Sequence, residues 1–254
     1  VSNDTIGKTI GVALALCIVC SVVVSTAAVM LKPAQIANKS LDFKRNILLA
    51  AGLLEDGKSV EEQFKQITTK LVDLDTGKFT EVEEGTDKYD QRKASKDPAR
   101  SKELSGDEDI AKISSRADVA KVYLVEGANG VETVILPIKG YGLWSTLYGF
   151  LALGSDFNTV VGMGFYEHAE TPGLGGEVDN PNWKGLFPGK KAYKADGTVG
   201  LTVKKGPATV GSEHEVDGLS GATLTGKGVD NLIKFWLGEQ GFAGFLTNLK
   251  NGEA

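Results

Sequence analysis

Cysteine is nearly absent from this chain. Of 254 residues only Cys17 and Cys20 carry thiols, so nothing beyond residue 20 can form a disulfide. That state suits an oxidising or a reducing compartment alike. Histidine is as scarce, with His168 and His214 alone. Two are too few to build a histidine-rich metal cluster. The net charge of -5 argues against a nucleic-acid partner. No G-x-G-x-x-G string follows a strand-like run and opens a helix, so the dinucleotide fingerprint is missing. No internal repeat is visible, and the apolar runs beyond residue 32 are short and broken by glycine or polar residues.

Charge is missing altogether from residues 9–31. A helix of that length covers about 34 Å at ~1.5 Å per residue, enough to span a ~30 Å hydrocarbon core with some tilt. A cleaved signal peptide ending near Ser25-Thr26-Ala27 is the rival reading. A signal core is only ~7–15 residues long and follows a cationic start, whereas this run is longer and follows only Lys8. Residues 1–32 are therefore assigned to one transmembrane anchor, making the chain membrane-integral. Cys17 and Cys20 share one face of that helix. They are either thiol ligands for a metal centre shared with a partner subunit, or small packing residues at a helix–helix contact, and packing is the commoner use. Lys32, Lys39, Lys44 and Arg45 follow the span, and the positive-inside rule would leave the rest of the chain cytoplasmic.

Residues 33–54 show helical spacing, with a break at Gly52 and Asp56-Gly57. Ser59 stands three residues before Glu62, a capping pattern for a short helix to about residue 69, and a strand follows at 71–74. Residues 81–109 are highly charged and poor in aliphatics, which predicts a loop or surface insertion. Strands are predicted at 119–125 and 131–138, joined through Gly127-Ala128-Asn129-Gly130, then at 144–153, 160–166 and 201–204. Helices are predicted from 222 or 223 to 236 and at 242–249. Strands first and helices late give an α+β fold: an antiparallel sheet with packed helices. The expected division is an anchor at 1–32, a helical linker and charged accessory region at 33–116, and the main domain at 117–254.

Three segments carry possible chemistry. The first is Asp217-Gly218-Leu219-Ser220-Gly221-Ala222-Thr223, a glycine turn at a predicted helix start. Backbone donors and the helix dipole favour a phosphate there, and Gly221 lets a bulky ligand approach. Asp217 could cap the turn or hold a metal ion. Alternatively, Ser220 is a plain N-cap. The second is Glu170-Thr171-Pro172-Gly173-Leu174-Gly175, a tight loop after a strand. Glu170 and Thr171 could bond the polar edge of a planar ligand, with Leu174 flat against it. His168, just before it, reads as a satisfied loop side chain more readily than as an acid or base. The third runs from Gly140 through Tyr141, Trp144 and Ser145 to Tyr148 and Gly149, an aromatic wall or a glycine-punctuated strand start.

Taken together, the three segments resemble the FMN-binding domain family of respiratory redox complexes over about residues 118–236. The anchor and chain length resemble, within it, the C subunits of bacterial sodium-translocating NADH:quinone oxidoreductases. The resemblance implies FMN held by a phosphoester to Thr223, with Asp217 and Gly218 in the flavinylation motif. Its cofactor site would draw on Ser220, Gly221, Ala222, Glu170, Thr171, Leu174, Gly175, Tyr141, Trp144 and Ser145. It also implies a flavin transferase during maturation, other membrane and redox subunits as partners, and an FMN domain on the periplasmic side of the inner membrane. That placement disagrees with the lysine count. NADH oxidation then falls to another subunit, since no nicotinamide fingerprint is present. Alternatives are the homologous subunit of the ferredoxin:NAD complex, an anchored flavoprotein sensor, and an anchored module without flavin in which Ser220 merely caps a helix.

Overall fold

The computed structural model describes residues 5–128 and 130–254. Helices α1 (Ile6–Ala50) and α2 (Val60–Phe64) lead into strands β1 (Ile67–Asp73) and β2 (Lys78–Thr80). Helix α3 (Gln91–Ala94), β3 (Ser101–Glu103) and β4 (Ser115–Ala117) follow. The long strands are β5 (Val119–Gly127), β6 (Gly130–Tyr141), β7 (Thr146–Gly154) and β8 (Val160–Glu167). Helix α4 (Pro181–Lys184), the short strands β9 (Thr202–Val203) and β10 (Glu215–Val216), α5 (Thr223–Leu237) and α6 (Ala243–Asn251) complete the chain.

The chain divides into two units, one ending at Phe43 and the other running from Lys44 to Ala254. In the first, α1 is long and apolar enough to cross a membrane. The helical spacing expected from residue 33 is no separate element, because α1 runs through Pro33 and ends at Ala50, just before Gly52. A proline removes one helical hydrogen bond, but its neighbours Lys32, Ala34 and Gln35 are strong helix formers that carry the helix past it. Cys17 and Cys20 are exposed along α1.

The second unit is built on a six-stranded sheet in the order β2-β1-β5-β6-β7-β8. Every neighbouring pair in it is antiparallel, as the sequence predicts. The boundary expected at residue 117 does not divide this sheet, since β1 and β2 come from the stretch read as an accessory region. The helix expected to reach residue 69 ends at Phe64, because the β-branched run from Ile67 pairs with β5 instead. The β5–β6 turn is where the sequence placed it, with Gly127 opposite Gly130. Asn129 of that turn lies outside the described residues.

Both faces of the sheet are covered, which is why β7 is buried at six of its nine positions, including five in succession. On one face Val122, Leu124, Val134, Leu136, Leu147 and Leu151 meet Val229, Leu232, Ile233 and Trp236 of α5, together with Phe242 and Phe245. A Cβ at Gly140 would stand 2.5 Å from the Leu232 Cβ, so glycine lets α5 lie close to β6. On the other face Phe150 stacks on Tyr166 at 5.0 Å. The end of α1 buries Ile47, Leu48 and Ala50, and the Ala50 carbonyl lies 2.5 Å from where a Gly162 Cβ would be.

The charged stretch 81–109 is ordered structure packed on the domain. Its anchors are Tyr89, 3% exposed, and Ala94, 2% exposed. Pro137 of β6 cannot donate to β5, and the β5–β6 pairing stops at Tyr123↔Ile135. The Gln91 side chain of α3 accepts the nearby Lys121 amide at 3.1 Å. A segment rich in charge thus completes a sheet hydrogen bond.

Candidate functional site

The three glycine-rich segments meet at one end of α5, and Glu170 joins them. Its Oε1 accepts the backbone amides of Leu143, Trp144 and Ser145 at 3.1, 2.9 and 3.1 Å. The Ser145 hydroxyl adds a longer bond at 3.3 Å. Its Oε2 accepts the Thr225 hydroxyl of α5 at 2.8 Å. Burial alone would push this carboxyl up, but the Trp144 amide, the Thr225 hydroxyl and the Leu143 and Ser145 amides outweigh it and hold Glu170 below the usual range. Glu170 is 5% exposed, and its oxygens point into the protein. The expectation that it bonds a ligand ring is therefore corrected, because both oxygens serve the turn at 143–145 and α5.

Glycines make this closure possible. A Cβ at Gly142 would sit 2.6 Å from the Glu170 Oε1, and one at Gly175 would sit 2.6 Å from the Thr225 Oγ1. One at Gly228 would collide with the Tyr141 carbonyl. Strand β7 begins at Thr146, so Trp144 and Ser145 belong to the turn that Glu170 gathers and not to the strand expected from residue 144. That turn leaves Trp144 67% exposed, with Leu143 and Tyr141 exposed beside it.

Ser220 does not cap α5. The N-cap is Ala222, with no side-chain cap, and Thr223 is the first helical residue. Gly221 takes φ +73°, turning the chain into the helix two residues later than a Ser220 cap would allow. Thr223 and Leu224 are exposed. A Cβ on Gly221 would lie 3.2 Å from the Leu174 Cδ2, so the second loop rests beside this turn. Thr171 is exposed in that loop, and its carbonyl accepts the amides of Leu174 and Gly176.

Asp217 and Gly218 face away from the helix start. The Asp217 Oδ1 accepts the Ala208 amide at 2.7 Å, and its carbonyl accepts the Trp183 indole at 2.9 Å. A Cβ at Gly218 would collide with the Lys204 carbonyl, so these two residues fasten the turn to the 204–208 loop. Asp217 thus caps a different turn from the one expected. His168 donates from Nε2 to Asp179 at 2.7 Å and accepts the Glu170 amide on Nδ1 at 3.2 Å, the satisfied loop role.

Sequence reasoning missed Thr225 and Arg92. Thr225 is fully buried, and its only sequence signal is a second hydroxyl in the first turn of α5. Arg92 lies in the charged insertion. Its guanidinium sits 3.5 Å over the Tyr148 ring and bonds Glu167 at 2.9 Å and the Tyr166 hydroxyl at 3.2 Å. Glu167 ends β8 just before the Glu170 loop, so Arg92 steadies the root of that loop.

An exposed threonine on an uncapped 15-residue helix, with a glycine cradle and exposed aromatics beside it, fits a planar ligand carrying a phosphate. The family described as FMN-binding domain matches residues 142–238, which take in the Glu170 loop, the Asp217–Thr223 turn and the third segment from Gly142 onward. The Na(+)-translocating NADH-quinone reductase C subunit of Pseudomonas aeruginosa is 53% identical over 100% of this chain and 99% of its own. The chain belongs to the family of Na(+)-translocating NADH-quinone reductase C subunits. Its Vibrio alginolyticus relative of that name is 52% identical over 99% of this chain and 98% of its own. The crystal structure of Shewanella oneidensis NqrC superposes with a TM-score of 0.78 at 38% identity, covering 85% of this chain and 99% of that one. As a member of this family the chain is an oxidoreductase subunit with an FMN-binding domain, and its mixed helix and antiparallel-sheet fold is that of the NqrC structure.

Proposed function

We propose that Thr223 carries FMN in a phosphoester and that the chain relays electrons between other subunits of a sodium-translocating NADH:quinone oxidoreductase. The observation that carries this reading is the placement of Thr223. It is exposed at the first position of α5, where no side chain caps the helix. Amides of an uncapped first turn favour the phosphate, and the helix dipole adds to them. Gly221 and Leu174 lie on one side of this position. Trp144, Leu143 and Tyr141 offer exposed apolar surface on the turn joined to α5 through Glu170.

Attachment requires a flavin transferase as partner. The donor would be a flavin dinucleotide: the Thr223 Oγ–H bond and the donor's diphosphate P–O bond break, an Oγ–P bond forms to the FMN phosphate, and the nucleoside monophosphate leaves with the proton. FMN when bound supplies transfer of one or two electrons. The ester fixes it in an open site, which suits a carrier that must meet partner subunits. The inner membrane is the proposed location, with α1 as the single span and the FMN domain periplasmic, where the transferase works. The cations after the span would alone favour the other side, but four charges beside one short anchor are a weak determinant. Cys17 and Cys20 remain packing residues in this reading.

The test is the intact mass and in-gel fluorescence of the denatured protein, expressed with a flavin transferase, beside a Thr223→Ala variant. An FMN-sized increment and fluorescence that survive denaturation, and are lost in the variant, are the expected result. An unmodified mass in the parent would overturn the covalent reading.

A further inference from the structure

We propose that Glu170 is a positioning residue: its carboxylate locks the Leu143–Trp144–Ser145 turn to α5, and so sets the aromatic wall against the flavin. This rests on the reading that Thr223 carries FMN. Three consecutive amides converge on one carboxylate oxygen, at 3.1, 2.9 and 3.1 Å. Consecutive amides can point at one atom only if the backbone curls around it. The side chains are then thrown outward, and Trp144 is left 67% exposed. The other oxygen takes the Thr225 hydroxyl at 2.8 Å, two residues beyond the attachment point. One carboxylate therefore ties the wall to the helix that bears the flavin. The Ser145 hydroxyl closes a second tie, donating toward Glu170 at 3.3 Å while accepting the Ala169 amide at 2.8 Å.

A ligand role for this carboxylate does not fit. The Oε2 lies 2.7 Å from where a Gly175 Cβ would be, and the side chain is enclosed by the residues it bonds. Removing it would leave three amides without their acceptor. Unpaired buried amides are costly, so the turn would open to reach water and take Trp144 with it. The flavin would stay attached, because the ester does not depend on the wall.

The experiment uses the full chain in detergent, expressed with a flavin transferase, as parent, Glu170→Ala, Glu170→Gln and Thr225→Val. Three readouts are taken: intact mass, amide hydrogen exchange at residues 143–145, and flavin emission of the native protein. Stacking on an aromatic ring quenches flavin emission. Glu170→Ala is expected to keep the FMN increment, lose protection at the three amides and emit several-fold more strongly. Glu170→Gln is expected to restore both properties largely, since its carbonyl can accept the amides and its NH2 can donate to Thr225. Unchanged emission in a folded, flavinylated Glu170→Ala overturns the proposal, even if exchange is faster, because the brace would then be merely structural. If Glu170→Ala does not fold, Thr225→Val decides: an intermediate rise supports the brace, and none overturns it. If the parent itself carries no FMN increment, the Thr223 reading fails, and amide exchange alone decides whether Glu170 holds the turn.

Discussion

Adding a single methyl group at Gly175 tests the whole convergence of the three loops. The Thr225 Oγ1 and the Glu170 Oε2 are bonded to each other at 2.8 Å. Both lie directly in front of the Gly175 Cα, so an alanine Cβ would stand 2.6 Å from the first and 2.7 Å from the second. Neither oxygen is at the end of a free side chain, because Glu170 also holds three amides and Thr225 is fully buried. Each oxygen must retreat by roughly 0.7 Å to reach ordinary van der Waals contact. Gly175 is not among the residues with positive φ, so the effect is steric and not conformational. Overpacking of this kind costs about 1–3 kcal/mol, and a weakened hydrogen bond to a buried carboxylate brings the total to about 2–4 kcal/mol. For a folded unit of this size the apparent Tm should fall by roughly 5–15 °C. The assay is a thermal melt of the full chain in detergent. Gly206→Ala is the control, since a Cβ there meets nothing within 4 Å, and it should stay within about 0.5 kcal/mol of the parent. A second variant, Gly175→Ala with Thr225→Ala, removes one of the clashing oxygens and should cost less than the sum of its two changes. A Gly175→Ala melt within about 1 °C of the parent would refute the reasoning.

Two further outcomes follow from the charged groups. Glu170 titrates below its ordinary value of 4.5 in the folded chain, because the amides and hydroxyl bonded to it outweigh its burial. Its contribution to stability is therefore complete above that value and is lost as the pH falls through the depressed folded value. The stability gap between the parent and Glu170→Gln, measured by denaturant titration, should be level from about pH 7 to 5 and shrink below about 4.5, and a gap constant to about pH 3 would refute this. Arg116 is 2% exposed and pairs with Asp75, which is itself on the surface, while also donating to the Gln240 carbonyl at 2.8 Å. Asp75→Ala should destabilise by about 2–3 kcal/mol, less than for a fully enclosed pair, because the Gln240 bond survives. A loss below about 0.5 kcal/mol, the level of an exposed pair, would show that the buried guanidinium does not need this partner.

What the sequence disclosed and what it hid divide along physical lines. The four long strands, β5 to β8, and the helix from Thr223 were legible because each obeys a local rule: alternation, a glycine turn, or helical spacing ending in a glycine. The three loops were legible as well, since glycine clusters beside hydroxyl and aromatic residues are rare enough to stand out. Their mutual arrangement was not. Glu170 read as a ligand group because an acid in a glycine loop has no visible partner, and its partners are 25 to 27 residues back and 55 residues ahead. The helix start at 222 or 223 was legible, and only the alternative with Ser220 as its cap fails, because Gly221 at φ +73° carries the chain on to Thr223. The boundary at residue 117 failed because β1 pairs with β5 across 46 to 58 residues, a contact with no local signature. The charged insertion was read as solvated because its composition is polar. Its few anchoring groups, Tyr89, Gln91 and Arg92, act one at a time on distant strands, where a composition average dilutes them. Local rules thus expose the residues that would meet a ligand, whereas the groups that hold those residues in place are joined only by the fold. The consequence for mutagenesis is specific. If Thr223 carries the flavin as proposed, substitutions there should report on attachment, and those at Glu170, Gly175 and Thr225 should report on how the turn at 143–145 is held against α5.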